Sequence, residues 1–463
     1  MTGLRDKSVL VLGLGETGLS MVRWLSAQGA RLRVADSRSE PPGLAEVGQH
    51  VAGDQIFCGA FSDALFEGID LIAISPGVPL HNEFVARAVA RGIPVVGDIE
   101  LFAQQLATND YKLTTKVLAI TGSNGKTTVT SMVEHLCRAA GKDAVAAGNI
   151  SPAVLDVVLA RGANQPEVWV LELSSFQLET TETLNADAAT VLNVSEDHLD
   201  RYAGIDEYAA AKARIFNDCR MQVLNRDDLC SMSMARAGSE IITFGLSLPG
   251  NANDFGIECA ESEIWLMQGR QRLLTAGELQ VAGLHNVANA LAALALCHAI
   301  GLPMQALLEA LRCFKGLPHR VERVAEIDGV VYYDDSKGTN VGATVAALEG
   351  LGRKVVLIAG GEGKGQDFAP LKPAVMQHAR AVVLIGRDAP LISAALEGCG
   401  IPQLRAENMN DAVLRAAQLA RSGDAVLLSP ACASFDMFRN YAHRAEIFVE
   451  AVHGLIKEAA WSR

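Results

Sequence analysis

Residues 121–128 are Thr-Gly-Ser-Asn-Gly-Lys-Thr-Thr, and this stretch predicts the fold of the region around it. Residues 116–120 before it form a short, mostly apolar run typical of a buried strand. Apolar residues recur after it at helical spacing, at Val129, Met132, Val133, Leu136 and Cys137, as far as Gly141. The order of strand, glycine loop and helix start predicts a phosphate-binding loop.

The residue types in this loop are suited to binding phosphate. The glycines let backbone N–H groups approach phosphate oxygens, Lys126 adds a formal charge, and the Thr127 hydroxyl is placed to bind Mg²⁺. A standard P-loop has four residues between its glycines, whereas only Ser123 and Asn124 stand here. A plain strand-to-helix turn with a surface lysine is the alternative, but it does not explain the Gly-Lys-Thr-Thr order. We therefore predict a variant ATP site formed by Gly122, Ser123, Asn124, Gly125, Lys126, Thr127 and Thr128.

Length and composition limit the class of protein. A chain of 463 residues predicts about three domains. Its net charge of −13 argues against a nucleic-acid partner, and no apolar run approaches the roughly 20 residues that span a bilayer. The N-terminal apolar run breaks at Gly13, so we do not expect a signal peptide. Nine cysteines without a C-x-x-C pair favour reduced thiols and a cytoplasmic location.

The N-terminal region contains a second glycine loop, G-x-G-x-x-G at residues 13–18, between a strand and a helix. Asp36 follows about 20 residues later, and together these match the dinucleotide fingerprint. NAD binding is one interpretation, and a purely structural glycine turn is another. The region gives way to the ATP domain by Lys116, however, and so holds only one mononucleotide half. One half suffices for a nucleoside diphosphate, with residues 36–38 and Ser75-Pro76-Gly77 on the same edge of the sheet.

Polar residues at strand ends and helix starts mark the rest of the central region. Glu172 ends an apolar strand, where a Mg²⁺ ligand belongs beside a phosphate loop. His198 lies in a charged loop after the strand at 188–194, and either a satisfied structural histidine or a metal or phosphate role fits it. Lys212 lies in a helical run, and the residues alone favour a solvated lysine. Asn289 lies in the first turns of a long helix, suited to capping or to a nucleotide contact.

The C-terminal region repeats the α/β pattern. Apolar strands at residues 330–333, 355–359, 382–385 and 425–428 alternate with helices and end in polar loops. This pattern predicts a parallel sheet with functional loops at the carboxyl ends of its strands. We therefore expect an α/β protein of three domains: a Rossmann-like domain at 1–97, a P-loop-type ATPase domain at 98–316 and a second Rossmann-like domain at 317–463.

Taken together, these motifs resemble the ATP-dependent Mur ligases of peptidoglycan synthesis. The resemblance rests on residues 121–128, residues 172–178, residues 193–200, His285-Asn286 with Asn289, and His319-Arg320. The N-terminal glycine loop, residues 36–38, 75–77, 97–102, 335–337 and 429–434 most resemble the branch that adds D-glutamate to UDP-N-acetylmuramoyl-L-alanine. The similarity covers all three predicted domains. Ser37 stands where the family often has Thr, Ser151 where it often has Gly, and Tyr441 where it often has Phe.

The resemblance implies a role for each matching residue. Lys126 would hold the ATP phosphates, with nucleotide contacts from Asn289 and Arg320. Two Mg²⁺ ions would be held, one by Thr127 and Glu172 and the second by His198 with a carbamylated Lys212. The residues implied around the UDP-sugar are Gly15, Glu16, Thr17, Asp36, Ser37, Arg38, Ser75, Gly77 and Asn149. Those implied around D-glutamate are Thr339, Lys364, Ser434 and Tyr441.

The implied reaction is amide synthesis through an acyl phosphate, in the cytoplasm, on small-molecule substrates and without nucleic acid or membrane. We expect a monomer. Within the enzyme class the alternative is a sister ligase that adds another amino acid. A P-loop motor and an NAD dehydrogenase are the alternatives outside it. The short phosphate loop and the fused UDP-type domain argue against the motor.

Overall fold

A computed structural model describes residues 3–108, 115–197 and 201–461, without the side chains of residue 108 and residues 457–461. Parallel sheets flanked by helices build it, which confirms the predicted α/β class. The sheets fall within residues 8–96, 116–275 and 322–428. The domain boundaries at 97/98 and 316/317 stay predictions.

The strands of the first sheet are all parallel. Its strands are β1 (Ser8–Leu12), β2 (Arg31–Asp36), β3 (Ile56–Cys58), β4 (Leu71–Ile74) and β5 (Val95–Val96). Its helices are α1 (Glu16–Ala27), α2 (Leu44–Val47), α3 (Glu83–Ala90) and α4 (Asp98–Thr108). Within residues 3–108 the spatial order is β3-β2-β1-β4-β5. The polar loops after β1, β2 and β4 therefore meet at one edge, as parallel strands require.

The central sheet carries the phosphate loop between its first strand and first helix. Its strands are β6 (Lys116–Thr121), β7 (Ala144–Gly148), β8 (Val168–Glu172), β9 (Ala188–Val191), β10 (Met221–Asn225) and β11 (Glu240–Phe244). The helices are α5 (Lys126–Ala139), α6 (Val154–Arg161), α7 (Ser175–Glu179), α8 (Ile205–Ala213) and α9 (Leu229–Ser233). The spatial order over the described residues, all parallel, is β11-β10-β9-β6-β8-β7. β6 thus lies between β9 and β8, with the loops that follow both strands beside the phosphate loop.

An antiparallel meander and a helix pair complete the central region. The meander strands are β12 (Phe255–Ala260), β13 (Glu263–Gln268) and β14 (Gln271–Thr275), and the helices are α10 (Leu284–Ala299) and α11 (Met304–Cys313). α10 packs against α5, and both contribute to an apolar core that also includes Leu118 of β6 and Leu266 of β13. The long helix predicted to carry Asn289 in its first turns is confirmed as α10.

The C-terminal sheet is parallel except at one edge. Its strands are β15 (Glu322–Ile327), β16 (Val330–Asp334), β17 (Val355–Gly360), β18 (Ala379–Ile385), β19 (Gln403–Arg405) and β20 (Ala425–Leu428). The helices are α12 (Val341–Gly350), α13 (Leu371–His378), α14 (Ala389–Ala395), α15 (Met409–Leu419) and α16 (Tyr441–Trp461). Over the described residues the order is β15-β16-β20-β17-β18-β19, and β15 runs antiparallel to β16. β20 lies between β16 and β17, so the loops that follow these three strands meet at one edge.

The first sheet is docked on the central one. A single apolar core joins side chains of α1, such as Val22, to those of α6, such as Val154. Arg23 of α1 also forms ion pairs of 2.7 Å with Glu46 and with Asp156 of α6. Among the described helices, none is long and apolar enough to cross a membrane. All nine cysteines lie in the described residues and are unpaired.

Candidate active site

The two glycines of the phosphate loop have conformations that the loop requires. Gly122 has φ of 153° and Gly125 has φ of 84°, in the region that disfavours other residues. A Cβ on Gly125 would lie 2.7 Å from Oδ1 of Asn289, and one on Gly122 would lie 3.0 Å from Cβ of Leu192. Glycine at these positions therefore permits the turn and the close packing around it. The loop then opens directly into α5.

Asn193, after β9, fixes the shape of this loop. Its Oδ1 accepts a hydrogen bond of 2.8 Å from the backbone N–H of Asn124, and its Nδ2 donates one of 3.1 Å to the Asn124 carbonyl. The Ser123 hydroxyl donates to the Ser195 carbonyl at 3.0 Å and accepts from the Ser195 N–H at 2.9 Å. The loop is thus held by the Asn193 side chain and by the Ser195 backbone, both of which follow the neighbouring strand β9.

Cationic side chains from distant parts of the chain converge on the loop. The Lys126 amine donates to the carbonyls of Gly122 and Ser123 at 2.8 and 3.0 Å. Arg320 donates from Nη2 to the Thr127 hydroxyl at 2.8 Å. Burial lowers the pKa of both Lys126 and Arg320 from their usual values. Burial, with the nearby Arg320 charge, also lowers the pKa of Lys337 to about 8. Such a set of desolvated cations favours a bound polyanion.

An incompletely bonded carboxylate lies on the other side of the loop. Glu172, at the end of β8, is 2% exposed. Its Oε1 accepts a hydrogen bond of 2.9 Å from Nδ2 of Asn149, whereas its buried Oε2 has no partner among the described residues. A buried carboxylate oxygen without a partner is costly, and a bound cation would satisfy it. Glu172 therefore fits the Mg²⁺ role that the sequence implied.

Lys212 is buried, contrary to the solvated lysine that the residues alone favoured. It is 1% exposed, and its amine donates to the Gly122 carbonyl at 3.0 Å. The amine also lies 4.3 Å from the ring centre of Tyr208. Burial, together with the Lys126 charge, holds the pKa of Lys212 well below its usual value. The run of alanines around Lys212 in α8 gave no sign of this burial, because helical spacing does not show which neighbouring loop covers a helix face.

The phosphate loop opens onto a cavity of about 800 Å³ between the central and C-terminal regions. The central region contributes Lys126, Thr127 and Glu172 to its lining, and the C-terminal region contributes Lys337 and Lys364. A smaller cavity of about 170 Å³ adjoins it and is lined by Gly125, Asn286, Asn289 and Asp335 among others. Burial raises the pKa of Asp335 to about 7, and its carboxylate accepts a hydrogen bond of 2.7 Å from the Ser429 hydroxyl. The lysines and the arginine in these linings favour anionic ligands.

Comparison with known proteins gives this site a family. The Mur ligase MurD-like N-terminal domain matches residues 7–97, the Mur ligase middle domain matches 120–297, and the Mur ligase glutamate ligase domain matches 319–432. A UDP-N-acetylmuramoylalanine–D-glutamate ligase of Nitrosospira multiformis is 57% identical over 456 residues, which cover 98% of this chain and 96% of the relative. The chain belongs to the Mur ligase family. A ligase of the same name from Methylobacillus flagellatus is 58% identical, with 99% of each chain covered.

Solved Mur ligase structures share the fold at low sequence identity. The UDP-N-acetylmuramate–alanine ligase of Thermotoga maritima has a TM-score of 0.58 and 20% identity, covering 96% of this chain and 99% of that one. A pseudomurein peptide ligase type C of Methanothermus fervidus has a TM-score of 0.57 and 20% identity, covering 91% and 96%. The three-unit α/β architecture is therefore that of Mur ligases.

The residues implied around the UDP-sugar lie mostly at the carboxyl edge of the first sheet of this Mur ligase. They are Gly15, Glu16 and Thr17 at the start of α1, Asp36, Ser37 and Arg38 at the end of β2, and Ser75 and Gly77 after β4. Asp36 is 2% exposed and accepts hydrogen bonds from the Leu14 N–H and the Arg38 guanidinium. The Arg38 hydrogen bond holds the pKa of Asp36 down at about 2. Asn149 follows β7 of the central sheet and lines the larger cavity beside Glu172, and Ser151 of the same loop donates a hydrogen bond of 2.8 Å to Glu16.

The residues implied around D-glutamate are only partly brought together. Thr339, Lys364 and Tyr441 line the larger cavity. Ser434 is 3% exposed and is not in the lining of either cavity. Among the nucleotide residues, Asn289 and Arg320 both line the smaller cavity, where Thr128 also lies. His198, predicted as a catalytic and metal residue, lies outside the described residues.

Sequence reasoning missed several residues of the Mur ligase site. Lys337 lines both cavities, and its amine lies 3.9 Å from the Tyr441 ring centre. Asn340 donates from Nδ2 to Oδ1 of Asn124 at 3.2 Å, linking the C-terminal region to the phosphate loop. Gln366 lines the larger cavity as well. The polar loop at residues 334–340 was a signal that could have identified Lys337 and Asn340, whereas nothing local marks Gln366.

Proposed function

We propose that this chain is an ATP-dependent amide ligase that adds D-glutamate to UDP-N-acetylmuramoyl-L-alanine through an acyl phosphate, in peptidoglycan precursor synthesis. Its support is the name that curated relatives of 57–58% identity carry over nearly the full length. The single structural observation behind it is one cavity whose walls combine the phosphate loop with the cationic loops of the C-terminal sheet. A nucleotide-hydrolysing motor needs no such second anion-binding wall.

The residues present fit ATP and Mg²⁺. The glycine loop offers a cradle that a Cβ would fill, and Lys126 and Arg320 supply charge beside it. The orphaned Oε2 of Glu172 fits a divalent cation. The Thr127 hydroxyl is the second oxygen that the resemblance assigns to that ion. When bound, Mg²⁺ would neutralise charge on the phosphates during phosphoryl transfer. We further propose a second ion held by His198 and carbamylated Lys212.

The chemistry assigns work to each side of the cavity. A carboxylate is a poor electrophile, because an attacking amine would have to displace an oxide ion, which is a very poor leaving group. Transfer of the γ-phosphoryl group of ATP to the L-alanyl carboxylate creates a phosphate leaving group, which the D-glutamate amine then displaces. Lys126 and Arg320 stabilise the charge on the transferred group. The amine must lose a proton, for which His198 and the phosphate itself are both candidates.

The other residues bind and orient the substrates. Lys364, Thr339, Tyr441 and Ser434 are proposed to bind D-glutamate, with the lysine beside a carboxylate. The loops at the edge of the first sheet are proposed to bind the UDP-sugar. The positive end of the α1 dipole would attract its phosphates. Holding both reactants removes most of the entropic barrier to amide formation. Within residues 3–108 the order β3-β2-β1-β4-β5 includes the switch point between β1 and β4, so the sheet extends beyond the single mononucleotide half expected from the sequence. A UDP-sugar is proposed here rather than NAD because of the name that the relatives of 57–58% identity carry.

The deciding experiment measures ATP-dependent phosphate release with UDP-N-acetylmuramoyl-L-alanine and a panel of amino acids, with product masses determined. D-Glutamate should give release and a product of the amide mass. Release with UDP-N-acetylmuramate and L-alanine, or with a diamino acid on the dipeptide precursor, would instead assign a sister ligase. ATP hydrolysis independent of any amino acid would refute a ligase.

We also propose that the enzyme acts as a monomer in the cytoplasm. The unpaired state of all nine cysteines, each of them in the described residues, supports a reducing compartment. Light scattering after size-exclusion chromatography should give a mass near 49.1 kDa. A mass near twice that value would refute the monomer.

A further inference from the structure

Arg444, in the first turn of α16, is a fully buried arginine. It is 0% exposed and is among the largest fully buried side chains of the described residues. No carboxylate of the described residues forms an ion pair with it, although a buried guanidinium is normally paired with one. Its charge must therefore be stabilised by the groups to which it donates hydrogen bonds.

Those groups belong to two loops at the edge of the C-terminal sheet. Arg444 donates from Nε to the Ser336 hydroxyl at 2.9 Å, from Nη2 to the Ser336 carbonyl at 2.7 Å and from Nη1 to the Cys432 carbonyl at 3.0 Å. The Ser336 hydroxyl in turn donates to the Tyr441 carbonyl at 2.7 Å. One planar guanidinium therefore joins the loop after β16, the loop after β20 and the start of α16.

Both loops carry residues of the proposed site. Ser336 lies between Asp335, which lines the smaller cavity, and Lys337, which lines both cavities. The loops also contact each other directly, because the Ala431 N–H donates to the Gly338 carbonyl at 2.9 Å. A shift of Ser336 relative to Cys432 would therefore move Lys337 and Thr339 relative to the rest of the cavity. Arg444 itself lines neither cavity.

We propose that Arg444 is a positioning residue of the amide-forming reaction, which fixes the loop at 335–339 against the loop at 429–434. The proposal rests on the proposed function and adds to it a residue that touches neither substrate. It predicts that the binding of D-glutamate and the rate of amide formation depend on the shape of this guanidinium, and not only on its charge.

Arginine is suited to this place because its donors point in several fixed directions, whereas a lysine amine is a point charge. Desolvation lowers the pKa of Arg444 to about 10, so it keeps its charge at neutral pH. The neighbouring Asp334, Asp335 and Asp436 favour that charge from a distance. A lysine here would retain the charge, but it could not bond both Ser336 and Cys432 in the same geometry.

The test compares Arg444→Lys and Ser336→Ala with a matched control, Arg380→Lys. Arg380 pairs with Asp424 at the opposite end of the same sheet, so its substitution weakens the same structural unit away from the loops. We expect Arg444→Lys to lower kcat/KM for D-glutamate by roughly tenfold to a hundredfold, through both KM and kcat. Ser336→Ala should act in the same direction with a smaller loss, and Arg380→Lys should lose thermal stability alone.

The outcomes separate the two proposals. If the wild-type enzyme releases phosphate with D-glutamate but Arg444→Lys and Ser336→Ala lose only Tm, as Arg380→Lys does, the positioning role is refuted and the ligase function stands. If the wild type releases no phosphate with D-glutamate, the function and the role that rests on it both fail. An Arg444→Ala enzyme should recover part of its rate with millimolar guanidinium, whereas no recovery in a folded variant would count against the role.

Discussion

Arg320 donates a hydrogen bond of 2.8 Å from Nη2 to the hydroxyl of Thr127, across 193 residues of sequence. The hydroxyl that the resemblance assigns to Mg²⁺ is thus bonded to an arginine from the junction before the C-terminal sheet. Asn340 contacts the same phosphate loop at Asn124. Docking of the C-terminal region and the order of the phosphate loop are therefore physically coupled.

Arg320→Lys should raise the KM for ATP about tenfold, because a lysine amine cannot reproduce the fork that meets both Thr127 and a phosphate. Steady-state phosphate release over a range of ATP concentrations measures this. Arg323→Lys is the matched control, since Arg323 is exposed and pairs only with Glu326 among the described residues. Equal KM values in both variants would contradict a nucleotide role for Arg320.

Lys126→Ala should reduce turnover by about a hundredfold or more while the Tm changes little, because the lost charge acts on the transferred phosphoryl group. Phosphate release and thermal melting are measured together. Lys142→Ala serves as control, because Lys142 pairs with Glu167 on the surface of the same unit. Turnover near the wild-type value would refute the ATP site.

The enzyme should use D-glutamate, reject L-glutamate and use D-alanine poorly, since Lys364 is proposed to meet a side-chain carboxylate. Lys364→Ala should raise the KM for D-glutamate roughly tenfold or more by removing a charge-assisted contact. Lys354→Ala, which alters a surface lysine of the same unit, should not. D-Alanine used as well as D-glutamate would overturn the assignment.

Lys212→Ala should be nearly inactive and partly rescued by acetate or formate. Carbamylation needs a neutral amine, and burial already holds the pKa of Lys212 well below its usual value. Activity should also drop when dissolved CO₂ is removed. Mass spectrometry of the intact enzyme under native conditions checks the added carboxylate. A fully active Lys212→Ala variant, or an unmodified lysine during turnover, would contradict the prediction.

Asp98 should make stability depend on pH. Burial raises the pKa of Asp98 from 3.8 to about 6, and its Oδ1 has no partner in the described chain. Between these values the folded chain keeps a proton that the unfolded chain has lost. Stability should therefore fall by about 2–3 kcal/mol as pH rises from about 4 to 6, and stay constant above.

Asp98→Asn removes this slope, so its Tm should rise relative to wild type across that pH range. Asp143→Asn is the control for which stability should change with pH in the opposite direction, because the Arg161 hydrogen bond lowers the pKa of Asp143. The stability that Asp143 supplies is present above its unfolded pKa and is lost as pH falls. Thermal melts at a series of pH values compare the three proteins. Parallel curves for Asp98→Asn and wild type would refute the raised pKa of Asp98 in the folded chain.

The phosphate loop was predictable because its signals are local. The glycines, Lys126 and the start of α5 are contiguous, and their backbone conformations follow from residue type. The strands and their polar ends were predictable for the same reason. Lys212 and Ser434 were less predictable. Lys212 is covered by the phosphate loop, and Ser434 lies buried outside the cavity lining. No local sequence pattern indicates the burial of either side chain.

The sequence by itself determined the α/β units, the phosphate loop and, by resemblance, the family. Only the tertiary structure decided that Arg320 meets Thr127, that Glu172 keeps an unbonded oxygen and that Arg444 bonds Ser336, 108 residues earlier in the chain. Strand and helix patterns depend on neighbours a few residues apart. Contacts between strand ends depend instead on the order of strands in each sheet, and burial then fixes which polar groups must find partners there.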